Sequence, residues 1–183
     1  MPEKRVPDLT KLLGLLRHAK SEWDDIGQRD FDRGLNERGR RGARLIGEHI
    51  RAHGTGFEVV LASPAERVKA TLVEALPGAD VRYDHRIYLA DADTLLEVLS
   101  GAGEAAAVLL AGHNPGLQDL LFALVAPANE NAMFDEAAVK FPTATFALIE
   151  LAIDDWAALA RDCGKLVHFQ RPRDIDPALG PEH

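Results

Sequence analysis

The chain has 183 residues, 46% of them hydrophobic, and carries 21 Lys and Arg against 29 Asp and Glu, a formal net charge of −8. That balance suits a globular protein folded as one domain over residues 1–183, with its core at about 11–170. It excludes a general nucleic-acid binder, which needs a basic face, and a membrane protein, since no apolar run approaches the ~20 residues that span a bilayer. The single cysteine, Cys163, forms no internal disulfide and fits a reducing, cytoplasmic setting.

The opening residues, 1–11, are charged and contain Pro. Residues 12–16 are too short for the apolar core of a signal peptide, about 7–15 residues. Residues 11–16 read as a buried strand ending at Arg17 and His18. Residues 21–34 are polar and Gly-containing, a surface loop. Residues 36–53 read as a helix capped by Asn36, with Ala43, Ile46 and Ile50 at helical spacing and Gly54 closing it. Residues 58–62 form a second buried strand. Ser63 and Pro64 open a helix to about Leu76, with Pro in its first turn. Residues 81–84 are a third strand and 92–99 a helix capped near Asp91 or Asp93.

Residues 106–111, AAVLLA, form a strand buried on both faces. Residues 112–116 are a turn, and 117–125 a packed helix. Residues 126–143 read as irregular. Two late strands, 144–151 and 165–169, flank a short amphipathic segment at 156–162. The Pro-rich tail from Arg171 is expected to be unstructured or packed as a strap. Strand and helix in alternation predict an α/β/α sandwich of three layers around a mostly parallel sheet. Such folds bind ligands beyond the carboxyl ends of their strands.

Three of those ends carry unusual residues: Arg17-His18; Ser63-Pro64 with Arg67 a turn later; and Gly112-His113-Asn114-Pro115. Parallel neighbours would bring two His and two Arg to one rim. Two guanidiniums suit a tetrahedral oxyanion, because the planar fork of Arg matches phosphate oxygens and stays charged. An imidazole beside them can attack phosphorus, and neighbouring positive charge favours its neutral form. His113 would bind the phosphoryl group and stabilise the transition state. Ser63 is a helix cap or a phosphate ligand, and Asn114 a cap whose amide can reach phosphate. Lys20 and Arg33 decorate the loop or meet an anionic substrate, and Trp23 packs or lines the pocket mouth. His49, His53, His85 and His168 are assigned to surface or packing, and the cluster Arg38–Arg44 to a solvated face.

These residues resemble a known family. LLRHAKSEW at 15–23 is similar to the Arg-His signature of the histidine phosphatase superfamily, also called phosphoglycerate mutase-like. DFDRGLNERGRRGA at 30–43 resembles the loop and helix start that follow it. LASPAERVKAT at 61–71 resembles the second signature, and AGHNPG at 111–116 the third. Segments 140–151 and 169–174 are similar to the small SixA-like branch, the phosphohistidine phosphatases. The resemblance implies a three-layer sandwich, His18 as nucleophile through a phosphohistidine intermediate, and Arg17, Arg67 and His113 as the phosphate pocket. It implies no cofactor, no metal and a phosphorylated protein or small molecule as substrate.

The chain departs from the family pattern at the acid that protonates the leaving group. Leu89 stands where the mutase-like branch has Glu, and Asn114 where acid phosphatases have Asp. Asp84, Asp91 and Glu22 are the substitutes on offer. Without an acid, poor alkoxide leaving groups are disfavoured, whereas a phosphoramidate loses imidazole readily. The competing functions are a phosphomutase, disfavoured by the short 21–34 loop and the missing acid; a non-catalytic phosphate-binding module; and a metal site on the two His, disfavoured by flanking Arg.

Overall fold

The computed structural model describes residues 10–180; the charged segment before them and the last three residues lie outside. One sheet of six strands organises the chain, in the order β3-β2-β4-β1-β5-β6. The strands are β1 (Lys11–Arg17), β2 (Val59–Ala62), β3 (Val81–Tyr83), β4 (Ala107–Gly112), β5 (Phe146–Leu151) and β6 (Gly164–Gln170). The first four pair in parallel, while β5 runs antiparallel to both β1 and β6. The helices are α1 (Glu37–His53), α2 (Glu66–Ala75), α3 (Ala92–Ser100), α4 (Gly116–Leu124), α5 (Ala132–Val139) and α6 (Pro172–Ile175).

Alternation along each strand divides the core into two layers. On β1, Leu13 and Leu15 face one cluster, which includes Leu95 and Leu99 of α3, Leu117, Leu120 and Leu121 of α4, and Phe134 of α5. Leu16 faces the other, with Ile46 and Ile50 of α1 and Val68 and Leu72 of α2. The whole of β4 is buried, as expected of a central parallel strand covered on both faces. These layers give the α/β/α sandwich read from the sequence.

Local chemistry sets the element ends. The Asn36 side chain accepts from Gly39 N–H at 2.7 Å, and Gly54 closes α1 in the left-handed region at φ 85°. Asp91 caps α3 by accepting from Thr94 N–H. Three expectations need correction. The second helix starts at Glu66 with Ala65 as its cap, so Pro64 lies before the first turn. The stretch 126–143 is not irregular throughout: Asn131 accepts from Phe134 N–H and opens the eight-residue α5, which buries Phe134 and Ala137. The segment 156–162 holds only a single 3₁₀ turn, anchored by fully buried Trp156, whose indole N–H donates to the Ala105 carbonyl at 2.7 Å. The tail is a packed strap. After α6 it forms a 3₁₀ turn at Pro177–Leu179 and is tied to α1 by an Arg41–Asp176 ion pair.

Close approach of α1 to α2 depends on Gly47. A Cβ there would stand 2.2 Å from the Ala75 carbonyl oxygen, a backbone atom that cannot rotate away. Gly47→Ala is therefore expected to lower the unfolding free energy by about 1–3 kcal/mol, the usual cost of overpacking. Gly56→Ala, where a Cβ meets nothing within 4 Å, is the control and changes it by less than about 0.5 kcal/mol. Chemical denaturation of the two variants beside the parent chain checks both values.

Candidate active site

Strand register assembles the site. Arg17 is opposite Gly112, and Ala62 is opposite Ala111. The residues that follow these positions, His18, Ser63 and His113, therefore leave neighbouring strands at the same rim of the sheet. Arg67 joins them from the first turn of α2. There they border a cavity of about 280 Å³ whose walls include Arg17, His18, Arg33, Arg67, His113 and Asn114.

His18 is buried, and its Nδ1 lies 2.8 Å from the Ala19 carbonyl. A carbonyl only accepts, so Nδ1 carries the proton and Nε2 keeps the lone pair. Burial, aided by the charges of Arg17 and Arg67 and by His113, pushes the imidazole down to about 3 despite the Ala19 bond. The ring faces His113 with centroids 5.4 Å apart.

His113 is fixed in the opposite tautomer. Arg67 donates to its Nδ1 at 3.3 Å, so the proton sits on Nε2 and is donated to Ser63 Oγ at 2.8 Å. Burial first, and then the Arg67 charge, lower this imidazole to about 4. Ser63 is itself fully buried and accepts from Ala65 N–H. It thus stands behind His113, away from the pocket wall, and does not cap α2 in the expected way.

Arg67 is buried and splits its fork between His113 and Asp30. It donates to the Asp30 carbonyl at 2.7 Å and to the carboxylate at 3.1 Å. The same carboxylate accepts from Arg33 at 2.9 Å and from the Tyr88 hydroxyl. Partial burial opposes ionisation of Asp30. The bonds from Arg33 and Tyr88 and the Arg67 charge outweigh it, and hold the carboxyl well below the usual range. Tyr88 also packs edge-on against His113. Arg17 has no such partner: NH1 donates to the Phe141 carbonyl at 2.9 Å, and the buried Nε–H groups of both Arg17 and Arg67 lack an acceptor among the described residues.

Arg17, His18, Arg67 and His113 thus converge as the sequence predicts. Asn114 lines the pocket, but its Oδ1 accepts from Gln118 N–H and its amide donates to the Phe141 carbonyl. Lys20 and Trp23 border the cavity, and Arg33 lies 3.5 Å from the Trp23 ring centroid. None of the three substitute acids lines the cavity. Asp84 grips Arg86, Asp91 caps α3, and Glu22 accepts from Trp23 and Asp24 N–H. Leu89 occupies the rim in the left-handed region, φ 49°, a conformation a branched side chain adopts at a cost of roughly 1–2 kcal/mol. Asp30 and Tyr88 were not singled out from the sequence. The signal available for Asp30 was its position three residues before Arg33 in DFDRG.

Comparison with known proteins bears on this arrangement. Residues 13–94 match the family model of the histidine phosphatase superfamily, branch 1. An uncharacterized protein of Mycobacterium leprae is 35% identical over 164 residues, 86% of this chain and all of that protein. Two solved structures assigned as the phosphohistidine phosphatase SixA are each 30% identical. The one from Nakamurella multipartitia has a TM-score of 0.79 over 89% of this chain and 96% of its own. The one from Agrobacterium tumefaciens has a TM-score of 0.74 over 88% and 98%.

The tautomers and shifts give a direct expectation. In nitrogen-15 spectra of the free protein at about pH 5.5, His18 should be neutral with its proton on Nδ1, and His113 neutral with its proton on Nε2. A midpoint near the ordinary value of about 6.5 for either ring would contradict the geometry. Stability follows the same sign. Between about 6.5 and the folded values of about 3 and about 4, only the unfolded chain binds these protons. The folded state therefore loses stability as pH falls through that window.

Proposed function

As the chain belongs to the histidine phosphatase superfamily, we propose that it is a metal-independent phosphatase working through a phosphohistidine intermediate on His18. The observation that carries this reading is the state of His18: neutral, buried, and with its Nδ1 proton held by Ala19 so that Nε2 is the basic nitrogen. An imidazole in that state is a nucleophile across the whole physiological pH range.

The step balances as follows. The Nε2 lone pair forms a bond to phosphorus while the bond from phosphorus to the leaving group breaks. The ring becomes a phospho-imidazolium whose Nδ1–H stays on the Ala19 carbonyl. Arg17 and Arg67 offset the charge of the phosphoryl oxygens. Water then attacks phosphorus, the P–N bond breaks, and inorganic phosphate leaves with His18 restored. Arg17, Lys20, Arg33 and Arg67 line the pocket and, among the described residues, no carboxylate does, which disfavours a divalent cation there.

Among the described residues no carboxyl group lines the pocket wall to protonate an alkoxide. Asp30 is ionised and already accepts from Arg33, Arg67 and Tyr88. The substrates that fit are phosphates with leaving groups that depart unaided, phosphohistidine first among them, on a protein or on a small molecule in the cytoplasm.

The test is turnover of phosphohistidine, p-nitrophenyl phosphate and 3-phosphoglycerate in EDTA, with and without His18→Ala. The parent chain should hydrolyse the first two. His18→Ala should lower both by at least about a thousandfold, as loss of a nucleophile does. The alkyl ester should be slower by about a hundredfold or more, the usual contribution of general acid catalysis. Activity abolished by EDTA, or surviving in His18→Ala, would overturn the mechanism. Rapid hydrolysis of 3-phosphoglycerate would overturn the substrate class.

A further inference from the structure

Beside the catalytic pocket lies a second cavity, of about 370 Å³. Lys20 and Thr143 line both cavities, so the two adjoin. Its walls come from the start of α1, the segment after β1, the loop between α5 and β5, and the C-terminal strap. Four cationic side chains line it: Lys20, Arg38, Lys140 and Arg173. Among the described residues no Asp or Glu does, in a chain whose acids outnumber its bases 29 to 21.

That segregation contrasts with five arginines elsewhere on the surface. Arg29, Arg44, Arg86, Arg161 and Arg171 each pair with a carboxylate. Among the described residues, Lys20, Lys140 and Arg173 pair with none. Gly39, Gly42 and Ala144 also line it, and the bare Cα of Gly39 lets α1 pack against the Lys20 backbone, where a Cβ would stand 2.0 Å from the carbonyl oxygen. The strap that forms the far wall is held in place by the Arg41–Asp176 pair and by an Arg38 bond to the Gly180 carbonyl. The cavity is thus built from ordered parts and kept open, positive and next to the nucleophile.

We propose that this cavity binds a second anionic group, a carboxylate or phosphate, on a small-molecule substrate whose phosphoryl group enters the catalytic pocket. The proposal rests on the phosphatase reading of the adjoining site. Its volume falls in the range of small-molecule sites, about 300–1,000 Å³. Lys140 and Arg173 would hold the second charge, while Lys20 sits between the two. A doubly anionic substrate would bind across the shared wall, which places its leaving group over the strap side of the pocket.

Titration calorimetry with alkylphosphonates of one to four carbons, against their ω-carboxylate counterparts, isolates the second charge. At one chain length the carboxylate should tighten binding by about tenfold, within the range of charge-assisted hydrogen bonds. In the double variant Lys140→Ala/Arg173→Ala that ratio should fall to about one, while kcat/KM for p-nitrophenyl phosphate stays within about twofold, since neither residue touches the catalytic pocket. A carboxylate that gains nothing at any length, or a gain that survives the double variant, overturns the subsite. If the carboxylate preference holds and is lost in the double variant, but the parent chain is inert toward p-nitrophenyl phosphate, the subsite stands and the phosphatase reading falls.

Discussion

Buried Arg67 and half-buried Arg17 share one small pocket with two imidazoles, and this crowding of positive charge governs the rest of the site. Arg17 is held below its ordinary pKa by burial and by the nearby Arg67. His18 and His113 respond by staying neutral, which is how a pocket lowers its own electrostatic cost. Asp30 is the one carboxylate that the described site provides, and it serves Arg67 and Arg33. Arg17 is left to the Phe141 carbonyl alone. Positive charge in excess of its counter-charge, in low dielectric, favours an anion strongly. The condition that would attract a phosphoryl group is the same one that keeps His18 unprotonated, so in the proposed reaction binding and reactivity have a single physical origin.

Topology makes this crowding tolerable. Backbone pairing in the parallel core fixes where Arg17, His18, Ser63 and His113 emerge, and the antiparallel β5 then returns the chain past the same rim. Its approach loop closes the arrangement: Ala144 N–H donates to the carbonyls of Arg17 and His18, and the Phe141 carbonyl accepts from both Arg17 and Asn114. From the other side, Thr71 Oγ1 accepts from Ala19 N–H and donates to the Arg67 carbonyl, which links β1 to α2. The charged side chains are therefore positioned by backbone atoms that repulsion between the charges cannot easily displace.

The mostly parallel sheet, the layers and the four central site residues were legible because they follow from short-range pattern: apolar runs for strands, helical spacing for α1, and polar residues placed at strand ends; the order of the strands was not. What escaped was what depends on distant partners. Asp30 reads as one more acid in a polar loop, and only the fold brings Arg67 and Tyr88 to its carboxylate, across 37 and 58 residues of chain. Ser63 before Pro64 reads as a cap, but His113 competes for its hydroxyl from a neighbouring strand. The helix α5 is short and only weakly patterned, with Phe134 and Ala137 as its sole buried residues, so its existence rests on tertiary packing. The net charge of −8 concealed local segregation of the opposite sign, because an average over the surface carries no information about clustering.

The missing acid has a chemical consequence that reaches both halves of the proposed reaction. Hydrolysis of phospho-His18 breaks a P–N bond and expels an imidazole, with no carboxyl group among the described pocket residues to assist. In the proposed reaction that step relies on the charges of Arg17, Lys20, Arg33 and Arg67 and on His113. A phosphohistidine substrate asks for the same bond cleavage in the first half, with the two imidazoles exchanging the roles of nucleophile and leaving group. A site adequate for the second half is then adequate for the first, and an acid adds little. An alkyl phosphate breaks that symmetry: its first half expels an alkoxide, the described pocket has no carboxyl group to protonate it, and only that half becomes slow. In the proposed reaction, Leu89 on the rim in place of a carboxyl would select among substrates by the leaving group, without touching the residues proposed to handle phosphorus.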